Sequence, residues 1–413
     1  MSFSQALSGL SAQQQKLGAV GNNIANSQTV GFKSSNVQFA DVYAESRIGL
    51  GVRTAGVLQN FSQGNVESTN RNMDLAISGE GFFRFQQPNG EVGYSRNGQL
   101  TMTADGRLVN GQGAQIMGYA ANAEGIVQAG GNVQPLQVLS GDLQANATTK
   151  LDISLNLDSG QPAIDLATTP FDATNANTYN YSTNATVFDS QGNARNLSLY
   201  FTKTAPNQWD VNGRIAGGPA DGDVYDVDMG SLSFNPNGTL GTDGSIPVVI
   251  DGTTPGNQEF GGTNPFAALN IAMSFEGSTQ FANDSTVNNT VQDGYTSGSL
   301  VGVTIEDDGS IMRNYSNEQS RAAGQIALVS FRNPEGLKPE GDNLWTATAS
   351  SGQELVGIPG TGLVGLIQPS AVETSNVDMA RELVDMIVAQ RAYQANSQTI
   401  STQDELLQTI INL

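Results

Sequence analysis

The sequence has 413 residues, enough for two to four domains at roughly 100–200 residues each. It holds no cysteine and no histidine, which excludes disulfides, thiolate zinc sites, thiol nucleophiles, Ser-His-Asp triads and imidazole metal ligands. With 18 basic against 39 acidic residues the formal net charge is −21, a surface that repels nucleic-acid phosphates and anionic lipid.

The first twenty residues show no basic region followed by an apolar run and a cleavage site. No stretch approaches the ~18–20 apolar residues that span a bilayer. The expectation is a chain without membrane insertion, cytoplasmic by these rules, with export by a route that cleaves no signal left open. Phe3, Leu7, Leu10, Gln14, Leu17, Gly21 and Ile24 fall at alternating spacings of four and three, a coiled-coil seam interrupted at Gln14 and Gly21. Lys16 is the only charged side chain in residues 1–32, so this helix is expected to have protein on several sides. Gly9, Gly18 and Gly21 each cost roughly 1 kcal/mol relative to alanine, which makes a lone helix of ~22 residues marginal in water.

A linker region is expected over 31–72. Residues 73–147 read as short strands and tight turns: Leu75 to Phe85, a turn at Pro88-Asn89-Gly90, Val92 to Leu100, then Asp105-Gly106 leading to Leu108-Val109. Asn-Gly and Asp-Gly supply the positive φ angles that tight hairpins require. Composition changes near 148, where Thr, Asn and Asp become abundant. In that segment Leu151, Ile153, Leu155 and Leu157 share one strand face, and Val187-Phe188 and Leu197 to Phe201 flank a turn at Ser190-Gln191-Gly192-Asn193. Leu232 to Phe234 forms a further strand. The style of the earlier β region returns over 296–359, with strands at Leu300 to Ile305, Ile326 to Phe331 and Asp342 to Thr348. The reading is a β-domain (148–295) inserted between two halves (73–147 and 296–359) of another.

After a second linker stretch (360–370), residues 371–413 carry the last helix. Ser375 or Asn376 is the expected N-cap, with Asp378 favouring the first turn. Met379, Leu383, Met386, Tyr393, Ile400, Leu407 and Ile411 follow one heptad frame, and Ile387, Leu406, Ile410 and Leu413 widen the apolar face. The fold class is therefore mainly β with α-helical termini.

Candidate chemistry is sparse. Asp307-Asp308-Gly309 lacks the spaced oxygens and terminal Glu of a calcium loop and reads as a hairpin turn. Gly111-Gln112-Gly113 and Gly357 to Gly362 lack the spacing of phosphate or dinucleotide loops. Asp41 with Glu45, and Glu382 with Asp385, are formal carboxylate pairs best explained as solvated faces. Phe82, Phe83, Phe85 and Tyr94 read as hairpin core. No catalytic, cofactor-binding or metal-ligating residue is assigned, and no cofactor is expected.

The terminal motifs carry a resemblance. Gly21-Asn22-Asn23-Ile24-Ala25-Asn26-Ser27 with Gly31-Phe32-Lys33, Phe61-Ser62-Gln63-Gly64, Asp74 to Phe83, Tyr94-Ser95-Arg96-Asn97-Gly98, Asp105 to Val109 with Gly118-Tyr119, Ser375-Asn376-Val377-Asp378 and Met386 to Asn396 resemble blocks of the flagellar rod and hook axial proteins. They cover about half the chain, in order. The large insert, and Asn314 to Gln319 ahead of Gly341 to Trp345, look like the hook branch rather than the shorter distal rod proteins. The resemblance implies terminal helices forming an inner tube, two β-domains outward, and a non-enzymatic hook subunit that polymerises with itself. It also implies contacts with flagellar rod, hook cap and hook–filament junction proteins, and export through the flagellar type III apparatus to the hook outside the cell. The subunit-interface residues expected are Phe3, Leu7, Leu10, Leu17, Ile24, Leu383, Met386, Ile387, Tyr393, Ile400, Leu407 and Ile411. A distal rod-type axial protein, a secreted carbohydrate-active enzyme using paired carboxylates and an adhesin-like module are the alternatives. The enzyme predicts a cleft with two carboxylates and glycan turnover, and the adhesin has no use for heptad seams at both termini.

Overall fold

The computed structural model describes residues 3–43, 49–216, 224–241, 244–250 and 269–411. The chain divides into two compact units, Met1–Ser140 with Val301–Asn314 and Ser320–Leu413, and Gly141–Leu300 with Tyr315–Gln319.

The first unit carries both helices, α1 (Phe3–Ala25) and α2 (Met379–Ile411). At 33 residues α2 extends about 50 Å at 1.5 Å per residue. Its cap is Asp378, whose Oδ1 accepts from the Ala380 and Arg381 N–H groups at 3.0 and 3.2 Å. The cap expected at Ser375 or Asn376 is thus displaced, because Asn376 spends its side chain on the chain near residue 60. Between α1 and the β region, strands Ser35–Val42 and Gly51–Gln59 pair antiparallel with an irregularity at Gln38/Phe39.

The β part of this unit joins sequence from both sides of the insert. Gln115–Ala120 pairs antiparallel with Ser320–Ile326, and Phe82–Gln86 with Leu328–Ser330. The strand expected over Leu75 to Phe85 is two strands in different sheets. Asp74–Ser78 lies between Leu366–Pro369 and Gly98–Gln99, while Phe82–Gln86 belongs to the large sheet. Gly79 and Gly81, at φ 113° and 118°, make the break, since residues with a Cβ avoid that region. The strand expected over Ile326 to Phe331 is likewise split, into Ser320–Ile326 and Leu328–Ser330. Phe83 and Phe85 are fully buried with Leu75, Ile77 and Leu328 in one core. Phe82 and Tyr94 lie in a second cluster with Phe331 and Trp345.

The second unit has two sheets around one core. Tyr181–Phe188, Ala194–Ala205, Gln208–Ala216 and Val224–Ser233 form an antiparallel meander. Lys150–Asp158 is the centre of the other sheet, parallel to Leu269–Ser274 and antiparallel to Thr286–Gln292. Leu151, Ile153, Leu155 and Leu157 pack with Leu197, Leu199, Phe201 and Trp209, which is the period-two face expected for a strand buried on one side.

Candidate functional site

Helices α1 and α2 run antiparallel, and the seam between them is small and polar. Asn23, Lys16 and Gly9, seven residues apart, meet Glu382, Asp385 and Asn396 in turn. The Asn23 amide donates to Glu382 Oε1 at 3.0 Å, and Lys16 Nζ lies 3.5 Å from Asp385 Oδ1. A Cβ at Gly9 would press on the Asn396 amide at 3.0 Å, so glycine permits the close approach there. Ala389, midway along this face of α2, is 1% exposed. The Glu382/Asp385 pair read as a solvated face is therefore part of the intrachain seam, each carboxylate holding a partner on α1. The second formal pair includes Glu45, which lies outside the described residues.

The strands 35–42 and 51–59 support the other flank of α1. Ser8 Oγ accepts from the Val52 N–H at 3.2 Å, and Gln5 donates to the Gly49 carbonyl at 2.6 Å. Asn23 pairs with both backbone groups of Ser35 at 2.9 Å. It is 1% exposed.

With these surfaces occupied, most of the large apolar side chains of α2 remain in water. Leu383, Val384, Ile387, Val388, Tyr393, Leu406 and Leu407 are exposed, Ile387 by 50%. On α1, Phe3 and Leu7 are each 53% exposed. Leu10, Leu17, Ile24, Met386 and Ile400 are half-buried. The structure thus divides the expected interface set into an outward group, Phe3, Leu7, Leu383, Ile387, Tyr393 and Leu407, and a half-buried group within the chain. The side chain of Ile411 lies outside the described residues. Exposed apolar residues scattered singly are ordinary, whereas these lie close together along one helix.

At the root of the helices, segments distant in sequence are tied together by motif residues. Asn376 donates to the Asn60 carbonyl at 2.8 Å and accepts from the Ser34 N–H at 2.8 Å. Lys33 Nζ lies 2.6 Å from Glu373 Oε1, both fully buried, and Arg96 approaches Glu373 Oε2 at 3.4 Å. Burial pushes the Lys33 ammonium and the Arg96 guanidinium down, with the Glu373 charge opposing both. Glu373 is the site residue that sequence reasoning missed. Its signal was a lone acid two residues before a cap motif, which has no period to betray it.

The remaining candidates resolve as structure. Asp308 Oδ1 accepts from the Ser310 N–H at 2.8 Å, closing the turn around Gly309 at φ 79°. Among the described residues no group of three or more acidic side chains is placed to hold a metal ion, and no helix is long and apolar enough to cross a membrane.

Four family models match in chain order: flagella basal body rod protein at 4–33, flagellar hook protein FlgE/F/G D1 domain at 76–156, flagellar basal body protein FlaE D2 domain at 156–295, and flagellar basal body rod FlgEFG protein C-terminal at 368–413. The chain is 45% identical over 417 residues to the flagellar hook protein FlgE of Escherichia coli (strain K12), covering 100% of each. The chain belongs to the flagellar hook protein family. The hook protein of Salmonella typhimurium is 44% identical over 417 residues, and that of Borreliella burgdorferi 32% over 441, covering 100% of this chain and 99% of the relative. The crystal structure of Helicobacter pylori flagellar hook protein FlgE2 shares the fold, with a TM-score of 0.54 at 16% identity over 75% of this chain and 100% of that one. The protein is a structural subunit of the bacterial flagellar hook, mainly β with helical termini.

Proposed function

We propose that copies of this chain pack their helix pairs into the wall of a tube. The outward row on α2, with Phe3 and Leu7 of α1, forms the contact between neighbours. The observation that carries this reading is the exposure of Leu383, Val384, Ile387 and Val388 on a helix whose other face is already occupied by α1. Fully burying an exposed side chain of this kind contributes about 1.5–3 kcal/mol, a half-exposed one roughly half of that, and the contribution recurs in every subunit. Eleven of the twelve interface residues expected from the sequence, all but Ile411, then act in two ways. The outward group meets other copies, and Leu10, Leu17, Ile24, Met386 and Ile400 brace the helices that present it.

On this reading residues 1–30 and 371–413 are the tube wall, 31–72 and 360–370 the linker, 73–147 with 296–359 the inner β-domain and 148–295 the outer one. The tube is curved and flexible and carries motor torque from rod to filament. Its end partners are the rod, hook cap and hook–filament junction proteins, and its subunits leave the cell through the flagellar type III apparatus with no signal cleaved. The chain catalyses nothing. Removing residues 1–30 and 379–413, which takes away both helices and leaves Glu373 with its two cations, tests this: the β-units stay folded and no tube forms. A truncated chain that still pellets as tubes contradicts the proposal, and one that turns over a glycan contradicts the absence of catalysis.

A further inference from the structure

Three ionisable side chains are buried together at the root of the helices, away from the outward apolar row. Lys33 and Glu373 are 0% exposed and Arg96 is 3% exposed. One carboxylate serves two cations. Glu373 Oε1 accepts from the Lys33 ammonium at 2.6 Å and from the Gly64 N–H at 2.8 Å. Its Oε2 faces Arg96 Nη1 at 3.4 Å. Lys33 also donates to the Ser62 carbonyl at 2.6 Å, and Arg96 to the Gly79 carbonyl at 2.9 Å. The Arg96 guanidinium lies 5.6 Å from the centroid of the Phe82 ring, and its Nε has no hydrogen-bond partner.

These bonds join four segments: the chain leaving α1, the chain at 62–64, the β-body at 79 and 96, and the strand Ala371–Glu373 that leads to α2. The Glu373 carbonyl also accepts from the Gly31 N–H at 2.7 Å. Such a cluster is a poor source of stability. Desolvating three ions is expensive, and apolar replacement of buried ion triads is often neutral or stabilising. What the cluster supplies is direction. Charge-assisted bonds at fixed angles hold both helix roots against the β-body, whereas an apolar contact there would tolerate sliding.

We propose that Lys33, Glu373 and Arg96 are an orientation lock that sets the angle at which both helices leave the β-body, and through it the curvature of the assembled tube. The inference rests on the tube reading above. Whether wild-type protein forms tubes tests that reading; the shape of tubes from variants tests the lock.

Two variants are compared with wild type by electron microscopy of polymer and by thermal melts of monomer. K33M/R96M/E373L removes all three ions together, so no lone charge stays buried. Lys33→Arg keeps the charges and replaces a compact ammonium with a planar fork. Both variants are expected to fold and pellet as tubes; those of the triple variant lack the uniform curvature of wild type, and those of Lys33→Arg are uniform at a different curvature. If the triple variant does not fold, Lys33→Arg alone decides. Wild-type curvature in every variant that folds overturns the proposal, whatever the melts show. A folded variant that forms no tube also overturns it, because the cluster would then govern association rather than orientation.

Discussion

Asn23, near the end of the first helix, donates its side-chain amide to Glu382 on the last helix at 3.0 Å, across 359 positions of sequence. The same amide pairs with both backbone groups of Ser35 at 2.9 Å. One buried side chain therefore holds α1, α2 and the strand Ser35–Val42 in register.

Asn23→Ala removes all three bonds and leaves the Ser35 backbone groups without them. Such a loss costs about 1–3 kcal/mol, localised to the helix pair. Hydrogen exchange is expected to accelerate over residues 5–42 and 380–400 while amides of Phe83 and Ile116, deep in the β core, keep their protection. Uniform acceleration across the first unit would mean that the helices and the β core open as one.

Acid should weaken both units through two held carboxylates. Burial pushes the Glu354 carboxyl up, but hydrogen bonds from Arg84 and Tyr94, with the Arg84 charge, outweigh it and hold it below its ordinary 4.5. In the second unit, burial raises Asp189, but bonds from Asn193, Arg195 and Gln191 hold it below 3.8. For each group the unfolded chain takes up its proton first as pH falls. Stability is therefore full above the ordinary value and is lost as pH drops through the lower, folded value. Urea midpoints measured from pH 6 to pH 2 are expected to fall below about pH 4.5. Glu354→Gln should flatten that fall in the first unit and leave the second unit's slope intact.

The two tryptophans report the two units separately. Trp209 is fully buried in the core of the second, and Trp345, 3% exposed, in the aromatic cluster of the first. Because the cores share no residue, replacing residues 150–290 with a short Gly/Ser linker is expected to leave a soluble protein. Its remaining Trp345 should stay in a buried environment and unfold cooperatively in urea. An insoluble product, or solvent-exposed Trp345 emission, would show that the first unit needs the insert in order to fold.

Much of this was legible in residue order, and the gaps have physical causes. Period two at Leu151 to Leu157 gave a strand because one face met a core, and the Asn89-Gly90 turn followed from glycine at φ 89°. Leu75 to Phe85 read as one strand because apolar alternation is blind to a change of sheet; Gly79 and Gly81 were the marks of the break. The helical heptads were legible as helices, but spacing shows that a face is buried, not by whom. Within one chain the seam is Glu382, Asp385, Ala389 and Asn396, which an apolar count overlooks, while Leu383 and Ile387 are left outward. Lys33 and Arg96 stood out only as motif letters, since their shared partner Glu373 is 340 residues from Lys33.

The outward row on α2 is the proposed contact between neighbouring subunits, and Ile387→Asp tests it most directly. Ile387 is 50% exposed, so a charge there is solvated in the monomer, but it is unpaired in an apolar contact once neighbours assemble. The measurement is sedimentation of polymer alongside a thermal melt of the monomer, with Asn89→Asp at an exposed turn as the equal-charge control. The control is expected to pellet as tubes, Ile387→Asp to stay in the supernatant, and the two monomers to melt together. Tubes formed by Ile387→Asp in wild-type yield would contradict the proposed contact.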